Sequence, residues 1–454
     1  MDTIHEPSRD VPVVADVDVC VVGGSTTGVF AALSAARLGA TVALIERSAY
    51  FGGTATASLV CVWHSRMDTV FERTIIGGMP MELMDRLRVR GALDEFPGNA
   101  DKEFVFSPMA MVLELDRMVA ETGRRIRPFL HTSFVSAVSD GDGDVRAAIV
   151  EDKTGRRAVR AKVFVDASGA ADLAHRMGLS TYTPARLQPP TVCALLQGLS
   201  ALRSGHTGFD LRRVVFDPAY PEALRPGFLW TANLPKSDLT MVAGTRVHGA
   251  DCSDADQLTR AELEGRRQVG AMLEILHRHV PGGDQVTLQG LPARIGIRES
   301  RHVHCLHQLT EAEVLAGERF PDAVANGSYR VDVHAAEGDG LVFRYLDGHE
   351  ETVLADGTHR PGRWRVETTS NPTFYQIPYR SLVPTGSRNV LVAGRCLDAD
   401  EGAYGAARVM INTAQMGEAT GVAAWLSLDS GCEVGEVNVV DLRDRLARQG
   451  AVVI

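Results

Sequence analysis

The chain has 454 residues, of which 45% are hydrophobic and 23% charged, and its 47 basic and 57 acidic residues give a formal net charge of −10. This composition excludes wholesale disorder, and an acidic chain without a long basic run argues against nucleic acid as the main partner. No apolar run approaches the about 20 residues that span a membrane, and the first residues lack a signal-peptide pattern. Seven scattered cysteines without a CxxC pair suit a reducing compartment, so we expect a cytoplasmic protein.

The first predicted unit is a strand, a helix and a second strand. Residues 18–22 (DVCVV) form a short apolar run that is typical of a buried parallel strand. Residues 27–38 carry small and apolar side chains at helical spacing and end before Gly39, and residues 41–45 (TVALI) form a second apolar run. The pattern predicts a βαβ unit with parallel strands.

The turn between the first strand and the helix reads GGSTTG over residues 23–28. Gly23 and Gly28 match the first and last glycines of the G-x-G-x-x-G pattern, which permit a tight turn and close helix–strand packing. The middle position holds Ser25, a departure whose small side chain can donate a hydrogen bond to phosphate. The turn predicts a dinucleotide pyrophosphate at the helix N-terminus, and a tight turn without a ligand is the alternative.

Glu46 ends the second predicted strand, near the position about 20 residues past the glycine-rich turn where an acidic residue accepts ribose hydroxyls. Its charge disfavours a 2′-phosphate, so FAD or NAD is expected rather than NADP. A second glycine-rich loop follows at residues 51–56 (FGGTAT), and NVLVAGR stands far away at residues 389–395. Two such loops indicate a long ligand held at several points, which favours FAD over NAD.

A meander of strands is predicted next. A helix is expected at residues 107–121, and three short apolar runs follow at 134–138, 145–150 and 158–165, with one turn at 139–144. These runs lead into the sequence Asp-Ala-Ser-Gly, which ends at Gly169.

The composition changes between residues 188 and 380, where Pro, Gly, aromatic residues and His become frequent. Helices are predicted in this region at 259–279 and 310–315. After this region the pattern of the first predicted unit returns, with a buried strand predicted at 389–393 and a long helix of small residues at 405–426. We therefore predict a discontinuous FAD-binding domain (1–188 and 381–454) and a substrate-facing domain (189–380) inserted in it.

At this point the chain resembles the FAD-dependent oxidoreductase family of the glutathione-reductase-like Rossmann superfamily, over nearly its whole length. The segments that carry the resemblance are the βαβ unit, YFGGTATA, VFVDASGAADLA, IGIRESRHV, LTEAEVLAGERFPDAVANGSYRVDVH and NVLVAGRCLDADEGAYGAARVMINTAQMGEATGVAA. The resemblance implies an α/β fold with FAD as cofactor: a Rossmann-like domain with a parallel sheet and a β-meander, plus an inserted mixed α+β domain.

The resemblance also implies FAD-binding residues along the chain. The residues implied for the adenosine and pyrophosphate are Gly23, Gly24, Ser25, Thr27, Gly28, Glu46 and Arg47, with the backbone of Val135 at the adenine. Those implied for the path to the flavin are Gly52, Gly53, Thr54 and Thr56, with Ser168 and Gly169 beside the dinucleotide. Those implied around the ribityl chain and ring are Gly394, Arg395, Arg408, Met410, Gly417 and Gly421. A helix N-terminus is expected at the flavin pyrimidine edge.

Four side chains are candidates for catalysis. His64 follows the second glycine-rich loop and can carry a proton, or act as a hydrogen-bonded structural residue. Arg298 and Arg301 can pair a substrate carboxylate, or form salt bridges with Glu299. Tyr379 stands where the chain returns to the FAD-binding domain, and packing is its alternative role. The series His302, His304, Cys305 and His307 has zinc-ligand chemistry but no second pair, so no metal is expected.

The sequence leaves three functions open. The first is an oxidoreductase that moves hydride between FAD and a small organic substrate between the two domains, with oxygen or an external acceptor as electron partner. The second is a flavin monooxygenase that uses NAD(P)H and oxygen, and the third is an FAD-fold binding protein without catalysis. A covalent flavin link through Cys61, Cys305, Cys396 or a histidine stays open, as does the oligomeric state. No nucleic-acid or membrane partner is expected.

Overall fold

The computed structural model describes residues 2–140, 144–225, 227–334, 340–354 and 358–454, so part of the predicted turn at 139–144 lies outside the described residues. Its helices are α1 (Thr26–Arg37), α2 (Met79–Val89), α3 (Pro108–Ala120), α4 (Asp172–Arg176), α5 (Leu199–Gly205), α6 (Leu211–Val215), α7 (Ala255–His279), α8 (Glu311–Ala316), α9 (Glu401–Ala407), α10 (Met410–Ser430) and α11 (Val439–Arg448). Its strands are β1 (Val13–Val22), β2 (Val42–Ile45), β3 (Val62–Trp63), β4 (Leu93–Glu95), β5 (Phe104–Phe106), β6 (Ile126–Phe129), β7 (Ser133–Ser139), β8 (Val145–Asp152), β9 (Gly155–Asp166), β10 (Thr181–Tyr182), β11 (Ala194–Gln197), β12 (Trp230–Asn233), β13 (Leu239–Ala243), β14 (Thr287–Gly290), β15 (His302–Val303), β16 (Ala323–Gly327), β17 (Val331–His334), β18 (Gly340–Arg344), β19 (His349–Leu354), β20 (His359–Arg363), β21 (Tyr375–Pro378) and β22 (Val390–Val392).

The main sheet combines a parallel half with an antiparallel meander, as the sequence predicts. Its strand order is β6-β2-β1-β9-β8-β7, and β22 pairs with β9 beyond the end of β8. The strands β6, β2, β1, β9 and β22 run parallel, whereas β7, β8 and β9 are antiparallel. Strand β1 is longer than predicted because it pairs with β9 from Val13 onwards. The last strand thus joins a sheet whose other strands precede residue 167.

Helix α10 packs directly on α1, and its glycines permit the close approach. A Cβ atom at Gly417 would lie 2.0 Å from the carbonyl oxygen of Thr27, and one at Gly421 would lie 2.1 Å from that of Ala31. Larger residues would push the helices apart and open the core, which costs stability. The structure therefore places Gly417 and Gly421 in helix packing, whereas the resemblance implies positions around the flavin.

The prediction of one long helix at residues 405–426 is wrong, because the structure has two helices there, α9 and α10. The helix breaks at Arg408 and Val409, and Val409 has an extended backbone with φ −63° and ψ 145°. Arg408 is held at the break by a hydrogen bond to the Gln188 side chain at 2.9 Å. Because the segment is rich in helix-forming residues, its local propensity contains no sign of this break.

The region between residues 189 and 380 contains antiparallel sheets and helices. One four-stranded sheet has the order β12-β13-β11-β14 and another the order β17-β18-β19-β20. Helix α7 begins before the predicted residue 259, because the Asp254 side chain caps its N-terminus by accepting from the Gln257 N–H at 2.8 Å. Helix α2 and the small sheet β3-β5-β4 were not predicted. Within the described ranges, no helix combines the length and hydrophobicity needed to cross a bilayer.

Candidate functional site

A cavity of about 370 Å³ runs from the turn after β1 to the two antiparallel sheets of residues 189–380. At one end, which we call the nucleotide end, it is lined by the loops that follow β1, β2, β9 and β22. These four strands are parallel, so their carboxyl ends meet at one edge of the sheet, which is where open α/β sheets bind ligands. At the opposite end, which we call the far end, it is lined by charged and aromatic side chains.

The glycine-rich turn has the close approaches that its two outer glycines predict. Gly23 has φ +107°, and a Cβ atom there would lie 2.3 Å from the carbonyl oxygen of Ala167. A Cβ atom at Gly28 would lie 1.8 Å from the carbonyl oxygen of Gly23. Ser25 has φ −65° and ψ 174°, so the middle position needs no glycine, and its side chain accepts from the Gly28 N–H as the N-cap of α1. The departure at Ser25 therefore preserves the turn.

Glu46 is buried and lines the nucleotide end of the cavity. One carboxylate oxygen accepts from the Gly24 N–H at 2.8 Å and the other from the Ser48 N–H at 2.7 Å. These bonds fix the carboxylate and leave each oxygen a lone pair for a ribose hydroxyl. Arg47 also lines this end, together with Ser133 and Phe134 of β7, whereas Val135 is not among the lining residues.

Three loops that are far apart in sequence meet at Arg395. Its guanidinium donates to Thr54 Oγ1 at 3.2 Å and to the carbonyl oxygen of Gly169 at 3.3 Å. Arg395 Nε is buried and has no hydrogen-bond partner. Ser168 shapes the second loop, since its hydroxyl donates to Asp166 at 2.6 Å and accepts from the Asp172 N–H at 2.9 Å.

The break between α9 and α10 brings a helix N-terminus to the cavity. Val409, Met410 and Thr413 line the cavity, and no side chain caps the first turn of α10. The free N–H groups and helix dipole favour negative charge there. Arg408 lies beside this turn, and its Nε is buried without a partner. These donors, with the glycine cradle and Glu46, fit FAD along the sheet edge.

The far end collects side chains from six separated segments. His64 lies beside Tyr329, with the ring centroids 4.0 Å apart, and His64 Nδ1 is buried without a hydrogen-bond partner. Burial lowers the pKa of His64 to about 4, partly opposed by the charge of Asp101. The Tyr329 hydroxyl donates to Asp332 at 3.0 Å, and Arg330 pairs with Asp101. The charged and polar residues that line this end are His64, Asp101, Lys102, Arg246, Arg298, Tyr329, Arg330, Asp332, His334 and Arg408.

Two of the four predicted catalytic residues line the cavity and two do not. His64 and Arg298 are at the far end. Arg301 lies outside the lining and pairs with Asp172 at 3.1 Å. Tyr379 is buried elsewhere, and its hydroxyl donates to the carbonyl oxygen of Val434 at 2.7 Å. Tyr379 thus has a structural partner, and Arg301 forms an ion pair with Asp172 instead of the salt bridge with Glu299 that was its alternative.

The remaining predicted FAD residues divide into lining and supporting positions. Those that line the cavity are Gly23, Ser25, Thr27, Glu46, Arg47, Gly52, Thr54, Ser168, Gly169, Gly394, Arg395, Arg408 and Met410. Gly24, Gly28, Gly53 and Thr56 lie behind them in the same loops; the Thr56 hydroxyl, for example, donates to the carbonyl oxygen of Phe51 at 2.7 Å. Sequence reasoning missed Lys102, Arg246, Arg294, Arg330, Asp332 and His334, although the last three stand in the segment LTEAEVLAGERFPDAVANGSYRVDVH that carries the family resemblance.

The histidine and cysteine series has ordinary structural contacts. His302 contacts the carbonyl oxygen of Leu397 and Glu299, and His307 contacts Glu313. In the part of the chain that is described, no three His, Cys, Asp or Glu side chains are grouped as metal ligands. Cys61, Cys305 and Cys396 are buried and are not among the lining residues, whereas the histidines His64 and His334 line the cavity.

The chain was compared with known proteins. A search of curated sequences found no match. The solved structures that are similar to this chain include a geranylgeranyl bacteriochlorophyll reductase-like protein from Thermoplasma acidophilum. The two share 12% sequence identity and a TM-score of 0.47, with 96% of this chain and 84% of that chain covered. The similar structures also include the p-nitrophenol 4-monooxygenase PnpA from Pseudomonas putida, with 13% identity, coverage of 94% and 83%, and a TM-score of 0.46. The family model described as FAD dependent oxidoreductase matches residues 18–446. The chain therefore belongs to the FAD-dependent oxidoreductase family.

Proposed function

We propose that this FAD-dependent oxidoreductase transfers hydride between flavin and a small organic substrate, with the substrate held at the far end of the cavity. The observation that carries the proposal is the continuity of one cavity from the glycine-rich turn to the titratable side chains. We also propose the two-domain division and the relationship to the glutathione-reductase-like group. The parallel strands joined to a meander support that relationship.

FAD, when bound, supplies a two-electron acceptor or donor. The protein must hold its phosphates and ribose, and we assign this task to the turn of residues 23–28, to Glu46 and to Arg395. Their hydrogen-bond donors and acceptors are already oriented by the main chain, so little ordering is required on binding. The first turn of α10, which lines the cavity, would stabilise negative charge on a cofactor group bound beside it.

We assign the proton-handling role to His64. When a substrate C–H bond gives up hydride, a neighbouring O–H or N–H group must release a proton to a base. His64 is uncharged at neutral pH because burial lowers its pKa to about 4, and its Nδ1 has no competing partner. The negative charges of Asp101 and Asp332 favour the protonated form that results, and the positive charge of Arg330 opposes it. Tyr329 packs on the imidazole ring and holds its orientation.

The test is anaerobic reduction of the FAD-loaded protein by a panel of small organic donors. The loss of the absorbance of oxidised flavin measures the reduction. We expect at least one organic donor to reduce the flavin and oxygen or an artificial acceptor to restore it. Rapid reduction by NADPH alone, with no reduction by organic donors, would instead support the monooxygenase. Protein that retains FAD but is reduced by neither class of donor contradicts both.

A further inference from the structure

Three arginines line the far end of the cavity, and each of them donates to at least one neutral acceptor. Arg246 donates to the carbonyl oxygen of Thr245 at 2.9 Å, and Arg298 donates to Thr191 Oγ1 at 2.5 Å and to the carbonyl oxygen of Pro189. Arg408 donates to the Gln188 side chain. We call Arg246, Arg298 and Arg408 the arginine cluster.

The negative charge beside the arginine cluster is smaller than its positive charge. Asp332 pairs with Arg408 at 3.3 Å. Among the residues that the structure describes, no carboxylate forms an ion pair with Arg246 or Arg298. Burial, followed by the charge of Arg408, lowers the pKa of Arg298 to about 10, and burial also lowers the pKa of Arg246. Buried charges are costly unless they are paired, so about two positive charges here lack a counterion.

The lining of the far end also includes an apolar wall. Side chains from β12, β13 and β18 form this wall, and they are Trp230, Ala243, Leu341 and Phe343, with Phe228 just before β12. An apolar wall favours the apolar body of a ligand, whereas paired guanidinium groups favour a planar anion that they can hold by two hydrogen bonds each. A ligand that satisfies both surfaces has an anionic group attached to an apolar body.

We propose that the far end binds a small organic carboxylate with an aliphatic or aromatic body, and that Arg246 and Arg298 hold its carboxylate. This assignment rests on the proposed function for its claim that the bound acid is the substrate. A carboxylate with an apolar body is favoured over inorganic phosphate because the apolar wall offers contacts that only such a body can use. His64, which lines the same end, then lies where a proton must be taken up.

The experiment is calorimetric titration of the FAD-loaded protein with benzoate, phenylacetate and hexanoate, each compared with its neutral amide at constant ionic strength. We expect at least one carboxylate to bind 10-fold or more tightly than its amide. Arg246→Met and Arg298→Met should each weaken that carboxylate about 10- to 100-fold and leave the amide unchanged, because each removes a charge-assisted hydrogen bond. Arg267→Met is the control, since Arg267 lies on α7 and pairs with Glu264 away from the cavity.

The wild-type comparison of acid with amide needs no variant, so it stands even where an arginine variant does not fold. Equal affinity for all three pairs overturns the proposal, and so does tighter binding of inorganic phosphate than of every carboxylate. Reduction of the flavin by a neutral donor, without any carboxylate preference, retains the proposed function and removes the carboxylate site. Arginine-dependent carboxylate binding in a protein whose flavin no donor reduces retains the site and overturns the proposed function.

Discussion

The nucleotide end of the cavity is built on glycine-rich loops, with Glu46 and Arg395 beside them, whereas the far end is lined by charged and aromatic side chains from distant segments. Gly23, Gly28 and the first turn of α1 act through the absence of Cβ atoms and through N–H groups. His64 and Arg246 act through charge and come from segments that only the fold brings together. A main-chain site is specified by a short local sequence, but a side-chain site depends on the positions of distant strands. The predictions below test this difference.

Gly28→Val should have the largest effect. A Cβ atom at residue 28 would lie 1.8 Å from the carbonyl oxygen of Gly23, so the turn must open and FAD retention should be lost entirely. The measurement is the flavin-to-protein absorbance ratio after gel filtration. Gly270→Ala is the control, because a Cβ atom there meets nothing within 4 Å and helix propensity improves. Normal flavin content in Gly28→Val would contradict the assignment of the nucleotide end.

His64→Asn should slow flavin reduction by the best organic donor by at least about 100-fold while flavin content is unchanged, since a positioned base contributes about 10² to 10⁴ in rate. Stopped-flow absorbance measures the rate. Tyr379→Phe is the control, because it removes only the hydrogen bond to Val434, and it should cost about 1 kcal/mol of stability without slowing reduction. Equal slowing in both variants would remove His64 from its proposed role.

Glu46→Gln should weaken FAD binding by about tenfold, because an amide has only one acceptor oxygen for the N–H groups of Gly24 and Ser48. Fluorescence titration of the apoprotein with FAD gives the dissociation constant. Glu274→Gln on the exposed face of α7 should leave it unchanged. An unchanged constant in Glu46→Gln would mean that the main chain alone orders this end.

Glu418→Gln should have the smallest effect, on the pH dependence of stability. Burial raises the pKa of Glu418 from 4.5 to about 8. The Glu418 carboxyl group also accepts a hydrogen bond from the Met79 N–H. The contribution of the protonated Glu418 carboxyl to the free energy of unfolding is therefore fully present below pH 4.5 and is lost as pH rises through about 8. The wild-type melting temperature should fall relative to Glu418→Gln by a few degrees over that range. Parallel curves for the two proteins would place the pKa of Glu418 near its ordinary value.

Glu418 also sharpens the contrast with the arginine cluster. It is a buried ionisable group that lies outside the cavity lining, so it can avoid charge only by keeping its proton. A bound carboxylate should raise the melting temperature of the wild type through Arg246 and Arg298 but should leave the Glu418 pH dependence unchanged.

The sequence determined much of the parallel sheet and most of the nucleotide end. Apolar runs and glycine positions act locally, so the βαβ unit, the meander and the turn at residues 23–28 were recognisable without distant contacts. Ser25 is an example of a departure from the glycine pattern that the turn tolerates, since the extended backbone at this position does not require glycine. The hydrogen-bond partners of Arg301 and Tyr379, by contrast, lie 129 and 55 residues away in the chain.

Only the tertiary structure decided the break before Met410, the helix-packing role of Gly417 and the composition of the far end. At the break Val409 has an extended backbone, and the Arg408 side chain donates to Gln188 in another part of the chain. Arg246 and Lys102 belong to no motif, and nothing in the sequence around Asp332 indicates that its charge will share a cavity with His64 and Arg298. Local sequence fixes backbone conformation, whereas side chains from distant segments meet only after the strands that bear them have packed.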